Sequence, residues 1–307
     1  MTEPKTFPIP ARLNLIISAA QITALLVLLR LSAEASGWWL AAVALGYGLV
    51  MNSAYAMLHE AQHGILHPDR RINEITGAVL TLFFPAPFHL TRQGHLGHHL
   101  RNRSDDEAFD FYFEGESRVW RFLQLYGILT GLFWFVILLG TVAAVFCPSL
   151  LRPKPYAFDR RTTAMLGSMN PRYMRLVRLE ALAALALHGG LIWWWEIPFG
   201  HWFATMTGFG LIWSAMQYVH HFGTERDAAK GTVNLRMFPF LDRLWLNHHW
   251  HLRHHQHPTL PWLYLPRLNP SNDAPQRHML SAYLRMWRGP RLTHEHVENR
   301  YAGKLMH

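Results

Sequence analysis

The sequence GHLGHH at residues 94–99 contains three histidines whose spacing guides the interpretation of the whole chain. Positions i, i+3 and i+4 of a helix share one face, so we expect His95, His98 and His99 to point in the same direction. The spacing recurs in HLRHH at residues 251–255, which places a second triplet on one helix face: His251, His254 and His255. Each triplet therefore predicts one half of a metal site.

Two further histidine clusters extend this pattern. HEAQH places His59 and His63 one helical turn apart, and QYVHHFG at residues 217–223 offers the adjacent His220 and His221. The chain thus has at least nine candidate ligands. Neutral imidazole binds zinc, copper, iron and nickel, so the ligand type does not select the metal. A tetrahedral site takes four ligands, so this number of histidines indicates two metal ions.

The composition favours a membrane protein. Of 307 residues, 50% are hydrophobic and only 16% are charged, unlike an average soluble protein. The single cysteine, Cys147, excludes an intramolecular disulfide and an iron–sulfur ligand set, so a redox partner must be a separate protein. The net charge of +9 comes from basic residues in loops beside apolar segments. That placement is typical of a cytoplasmic membrane face, so we predict no nucleic-acid partner.

Four apolar segments are long enough to cross or nearly cross a bilayer. Residues 13–29 and 38–58 form one predicted hairpin, and residues 181–195 and 203–219 form another. Tryptophans mark the far turn of each hairpin, as expected for an interfacial aromatic belt. This topology brings all four histidine clusters to the same face of the membrane.

Two other apolar segments are predicted not to cross. Residues 75–90 contain two prolines and must return to the same side if GHLGHH is to meet HEAQH. Residues 125–146 are followed by a basic loop that the positive-inside rule keeps in the cytoplasm. We therefore expect a re-entrant or interfacial hairpin in this segment, broken near Gly131 or Gly140.

These features predict an all-α membrane protein with about four transmembrane helices in two hairpins, further re-entrant or interfacial helices, and a cytoplasmic cap that carries the histidines. We expect a single domain over residues 1–307, with an N-terminal tail at 1–12 and a C-terminal cytoplasmic tail at 266–307. HLRHH should lie on a short cytoplasmic or surface helix. The expected location is the inner membrane of a bacterium, with the histidine face towards the cytoplasm.

Two other classes of protein are compatible with parts of the pattern. HEAQH matches the His-Glu-x-x-His motif of zinc peptidases, in which Glu60 would be the general base. An intramembrane protease would, however, leave most of the other histidines without a role. A metal transporter needs polar groups within its spans, and only His188 lies in one.

HEAQH, GHLGHH and HLRHH together resemble the three histidine boxes of the membrane-bound fatty acid desaturase and hydroxylase superfamily, and the similarity covers roughly residues 40–265. The resemblance implies a non-haem di-iron centre that uses dioxygen as a co-substrate, and no other cofactor. The implied iron ligands are His59, His63, His95, His98, His99, His221, His251, His254 and His255.

Six further residues are possible additional ligands or neighbours of the ligands by this resemblance. HHFG is similar to the EHYG form of the alkane hydroxylase branch, which puts His220 in the acidic position, and Arg92 matches the basic residue that precedes the second box. Gln217 lies one turn before His221, where it could bind iron through water. The chain departs from the family at Glu60, where many desaturases have aspartate, and at the last box, which is crowded by its neighbours Asn247 and His248.

The resemblance implies oxidation of a fatty acid or fatty acyl chain in the bilayer. We expect desaturation. Oxidative decarboxylation of a free fatty acid to a 1-alkene, and hydroxylation of a fatty acid, an alkane or a carotenoid, remain alternatives, because the sequence does not separate these outcomes. We expect no fused haem-binding domain. The expected electron donor is therefore a separate ferredoxin-type or cytochrome-type protein with its reductase.

Overall fold

The computed structural model describes residues 7–268 and 276–307. The α-helices are α1 (Ala11–Glu34), α2 (Gly37–Gln62), α3 (Arg70–Phe83), α4 (Phe88–Arg101), α5 (Arg118–Leu129), α6 (Leu132–Phe146), α7 (Arg160–Gly167), α8 (Met174–Trp194), α9 (Phe199–Val219), α10 (Pro239–Leu244), α11 (His251–Gln256) and α12 (Met279–Met286). Short 3₁₀ helices cover Pro148–Leu151, Lys154–Tyr156, Pro171–Tyr173 and Trp262–Leu268. The strands are β1 (Phe111–Tyr112), β2 (Asn234–Arg236), β3 (Gln276–His278) and β4 (Arg291–Leu292). The predicted all-α class is confirmed.

Among the described residues, three helical segments are long and apolar enough to cross a membrane: Ala11–Glu34, Gly37–Gln62 and Pro171–Trp194. A fourth is possible if α5 and α6 together form one bent span. The helix α9, which we predicted as a span, has 21 residues but is not among the three. It is instead a largely buried helix that packs along α2.

Close packing of α2 against α9 positions one side of the histidine site. A β-carbon on Gly48 would lie only 2.7 Å from the carbonyl oxygen of Gly208, so the two backbones approach at a point where only glycine fits. Small residues allow such contacts between membrane helices. Because α2 carries HEAQH at its end and α9 leads into His221, this contact holds two of the four histidine motifs of the sequence together.

The predicted break in residues 125–146 occurs at Gly131. This glycine has φ +91°, a left-handed conformation that other residues rarely adopt, and it separates α5 from α6 with a bend of 91°. Gly140, the other candidate, lies inside α6. The helix α6 then packs against both α8 and α9.

The expected return of residues 75–90 takes the form of a helical hairpin. Asp69 caps α3 by accepting hydrogen bonds from the backbone N–H groups of Arg71 and Ile72. The helix ends at Phe83, before the two prolines, and α4 begins at Phe88. The second helix carries GHLGHH back towards the end of α2, as the sequence predicts.

A cap of loops and short elements covers the histidines. Residues 102–117 are mostly irregular, and β1 pairs in parallel with β4 while β2 pairs in parallel with β3. The buried carboxylate of Asp105 accepts hydrogen bonds from His296 and from the backbone N–H of Val297. Residues 276–307 are therefore folded against the cap, whereas the sequence suggested only a tail.

Candidate metal centre

Nine histidines form two groups, each of which could hold a metal ion. In each group, one nitrogen per ring lies within 4.8 Å of the corresponding nitrogens of the other rings. The first group, called the five-histidine cluster below, consists of His59, His63, His95, His99 and His254. The second, the four-histidine cluster, consists of His98, His221, His251 and His255. These are the nine residues that the sequence picked out.

Each histidine triplet is divided between the two clusters. On a helix with 3.6 residues per turn, position i+4 lies about 40° to one side of position i, and position i+3 about 60° to the other side. In α4, His95 and His99 enter the five-histidine cluster and His98 enters the other. In α11 the arrangement is reversed, with His254 alone in the five-histidine cluster. The expectation that one triplet forms one half-site is therefore wrong, because each of these helices serves both clusters.

The ring nitrogens approach one another closely. The Nε2 atoms of His63 and His95 are 2.7 Å apart, and those of His254 and His99 are 2.9 Å apart. In the other cluster, Nε2 of His221 lies 3.1 Å from Nε2 of His251. A hydrogen bond satisfies such a pair only if one ring donates its proton, so converging lone pairs are better explained by a shared cation.

Several ring nitrogens in the clusters are buried without any hydrogen-bond partner. Two of them, Nε2 of His59 and Nε2 of His255, can face a cation, whereas the Nδ1 atoms of His251 and His254 belong to rings whose Nε2 already points into its cluster. A buried polar atom that lacks a partner costs free energy, and metal coordination is a common way to satisfy it. The donor set, imidazole nitrogens without thiolates, suits a divalent transition metal such as iron, zinc or copper.

Hydrogen bonds on the outer side of the four-histidine cluster fix which nitrogen of each ring faces inward. The Nδ1 atom of His98 lies 2.5 Å from Oε1 of Glu107. The Nδ1 atoms of His221 and His255 lie 3.3 Å from the carbonyl oxygens of Gly231 and Ala228. Since carbonyl and carboxylate oxygens only accept, each Nδ1 carries the proton and each Nε2 keeps its lone pair.

Glu107 is held in turn by Arg101, whose Nε donates to the other carboxylate oxygen at 3.0 Å. Burial raises the pKa of Glu107, but the positive charges of Arg101 and His98 outweigh it, so the pKa lies below its ordinary value. The carboxylate is therefore ionised and can orient His98. Our sequence reasoning missed this residue. The acidic run that follows GHLGHH was the available signal, since a metal-bound histidine usually has a carboxylate or carbonyl partner.

Four histidines of the five-histidine cluster are neutral near pH 7. Burial, reinforced by the positive charges of Arg92 and His98, lowers the pKa of His63 to about 3. Burial and neighbouring histidines also hold the pKa values of His95, His99 and His254 well below the ordinary value of 6.5. Neutral imidazole is the form that binds metals, so the site is prepared for a cation.

These pKa values predict that acid destabilises the metal-free protein. Burial also lowers the pKa of His220 to about 3 and that of His248 to about 4. As the pH falls below 6.5, the unfolded chain binds protons that the folded chain does not. The free energy of unfolding therefore decreases as the pH falls. We expect a lower thermal unfolding midpoint at about pH 5 than at about pH 7. An unchanged or higher midpoint at acidic pH would contradict this assignment.

The remaining candidates lie around the clusters rather than in them. His220 stacks on His251 with ring centroids 4.4 Å apart, and His248 contacts His59 edge-on at 4.9 Å. The side chains of the other four are hydrogen-bonded to protein groups: Gln217 to the carbonyl of Trp213, Asn247 to the carbonyl of Trp262, Arg92 to Glu74, and Glu60 to the backbone N–H of Trp262.

The surroundings of Glu60 and His188 test the two alternative classes, a zinc peptidase and a metal transporter. In a zinc peptidase, Glu60 would serve as a base beside the metal. Here its buried carboxylate accepts from Trp262, and His59 and His63 share their cluster with three further histidines. His188 is bonded to the carbonyl of Leu82 and to the indole N–H of Trp202, as expected of a packed interior histidine.

Comparison with known proteins gives one match. A family model described as "Fatty acid desaturase" matches residues 36–288, a range that includes all nine clustered histidines. No curated protein matches the chain.

Proposed function

Because the chain belongs to the fatty acid desaturase family, whose members are membrane-bound oxidoreductases, we propose that it holds one iron ion in each histidine cluster and oxidises a fatty acyl chain with dioxygen. The observation that carries this proposal is the pair of histidine clusters to which α4 and α11 both contribute. When bound, two irons supply dioxygen activation and hydrogen abstraction from an unactivated C–H bond, which no side chain can perform.

In this proposal, all nine clustered histidines are iron ligands, five for one ion and four for the other. Five of the nine are buried and the other four are partly buried, which limits the access of water. Glu107 and the carbonyls of Gly231 and Ala228 hold the ligand rings in the orientation that directs Nε2 inward. His220 and His248 pack against the ligands and support their positions.

An apolar layer lies next to the clusters, and we propose that the acyl chain binds along it. Tyr55 lies one helical turn before His59, and its ring packs against Trp213 and Phe84 at centroid distances of 5.6 Å. All three residues are buried and belong to the main hydrophobic core. We place the reacting carbon atoms of the substrate between this aromatic layer and the histidines, where orientation decides which C–H bonds are attacked.

The reaction that we propose is desaturation, in which two vicinal hydrogens are removed. The electrons come from a separate carrier of ferredoxin or cytochrome type with its reductase. We further propose that the histidine face lies on the cytoplasmic side of a bacterial inner membrane, where the basic loops contact anionic head groups.

The test is a reconstituted assay with the iron-loaded protein, a [2Fe–2S] ferredoxin, its reductase and a deuterium-labelled saturated long-chain fatty acid or its thioester. We expect substrate-dependent dioxygen uptake and an internal alkene in gas chromatography with mass spectrometry. A terminal alkene with carbon dioxide would assign decarboxylation instead, and an alcohol would assign hydroxylation. An absence of substrate-dependent uptake would refute the proposed function.

Glu107→Gln should weaken iron binding in the four-histidine cluster. The variant loses the carboxylate that fixes the Nδ1 proton of His98, and loss of such a partner typically lowers metal affinity by about 10- to 100-fold. Competition with a chelator measures the affinity. Glu114→Gln, an exposed change in the same loop, is the matched control. Equal affinities of the two variants would remove Glu107 from this role.

A further inference from the structure

A groove of about 970 Å³ lies on the outer side of α4, away from the metal centre. Its walls are α4, the start of α5, the helix α7 and residues 299–306. Gly97 and Arg101 line it from α4. By helical geometry these two residues lie on the opposite face of α4 from His95 and His99. The groove and the five-histidine cluster are therefore on two sides of one helix.

One short chain of contacts joins the groove to the four-histidine cluster. Arg101 lines the groove, and its Nη1 donates to Ser168 Oγ at 2.8 Å. Its Nε bonds Glu107 at 3.0 Å, and Glu107 bonds His98 at 2.5 Å. None of the clustered histidines lines the groove, so a substrate carbon in the groove has no direct approach to their ring nitrogens. An electron needs no such opening and can pass along bonded groups.

The lining of the groove suits an acidic protein surface. Four basic side chains and two acidic ones line it, and three of the basic ones, Arg101, Arg121 and Arg160, form ion pairs with carboxylates. Lys304 is exposed, and it has no ion pair within the part of the chain that the structure describes. The edge of the groove has exposed aromatic rings, with Phe158 70%, Tyr301 44% and Trp120 36% exposed. Aromatic and basic residues are enriched where proteins bind one another, and complementary charge accelerates association.

We propose that this groove docks a small acidic electron-carrier protein, which delivers electrons to the four-histidine cluster through Arg101, Glu107 and His98. This inference rests on the proposed function, because it requires iron in that cluster. Each docking event would oxidise the reduced carrier by one electron, and a ferric ion held by His98, His221, His251 and His255 would accept that electron. Two such events would supply the two electrons that the reaction needs from outside the substrate.

The test uses an acidic [2Fe–2S] ferredoxin as the probe and the complete iron-loaded protein in nanodiscs. Stopped-flow absorbance follows the oxidation of ferredoxin, and biolayer interferometry measures the affinity of oxidised ferredoxin independently of turnover. At low ionic strength, Lys304→Glu should reduce both the association rate and the electron-transfer rate by about tenfold, and high salt should diminish the difference. Tyr301→Ala should weaken binding at both salt concentrations.

The control is Arg285→Glu, which makes the same change of charge at an exposed position on α12 outside the groove. It should leave ferredoxin binding unchanged. Dithionite, which needs no docking surface, should reduce all variants equally. If dithionite reduces the iron but Lys304→Glu and Tyr301→Ala both behave like the unaltered protein, the docking proposal is wrong. A phospholipid that co-purifies in the groove, with unaltered ferredoxin kinetics in the variants, would also overturn it. Failure of every form to bind iron would refute the proposed function itself.

Discussion

His98→Ala is expected to lower the iron content from two ions per chain to about one and to reduce turnover by at least 100-fold. His98 is one of the four histidines in its cluster and the only one that α4 contributes, so three histidines would remain there. The five-histidine cluster shares no ligand with it and should keep its ion. Mass spectrometry of the metal content and dioxygen uptake measure the two effects separately.

His67→Ala is the matched control for this experiment. His67 follows HEAQH in the sequence, but it lies outside both clusters, and its Nδ1 accepts a hydrogen bond from the backbone of Asp69. This variant should keep both ions and full turnover. Full iron content and full activity in His98→Ala would show that His98 is not a ligand.

Asp110→Ala should lower the free energy of unfolding by about 3–5 kcal/mol, because it leaves the buried guanidinium of Arg103 without its anion. Arg103 is fully buried, and its two terminal nitrogens bond the Asp110 carboxylate at 2.6 and 3.1 Å. Tyr218 also donates to Asp110, at 2.6 Å. Arg103 and Asp110 further bond the backbone of Thr224 and Gly223, close to the segment that supports His221.

Thermal or denaturant unfolding measures the effect of Asp110→Ala, and we expect the four-histidine cluster to lose iron affinity as well. Glu34→Ala is the control, since it removes an ion pair with Arg30 that is largely exposed. Such surface pairs contribute about 0–1 kcal/mol. If the two variants were equally stable, the buried network would not hold the cap in place.

The histidine boxes and their helices could be predicted because they depend on local spacing. GHLGHH and HLRHH lie on α4 and α11, and HEAQH lies at the end of α2. The division of each triplet between two clusters could not be predicted. It depends on how α4 and α11 are rotated relative to each other, which is set by contacts that are distant in the sequence.

Other features were only partly visible in the sequence. Gly131 and Gly140 were equal candidates for the break near α6, and only the tertiary structure requires a left-handed residue at the first. The cap is a similar case. Asp105 binds His296 and Val297 across a separation of nearly two hundred residues, so a polar segment that looked like a tail is part of the fold. Glu107 was hidden among five other acidic residues in the run at residues 101–118.

The central claim is that the two histidine clusters form a di-iron centre, and the most direct test is the metal content of the purified protein together with its dioxygen uptake. Inductively coupled plasma mass spectrometry should find two irons per chain, and dioxygen should be consumed only when reductant and fatty acid are both present. One zinc ion per chain with no dioxygen uptake would contradict the account and would return attention to HEAQH as a hydrolytic zinc site.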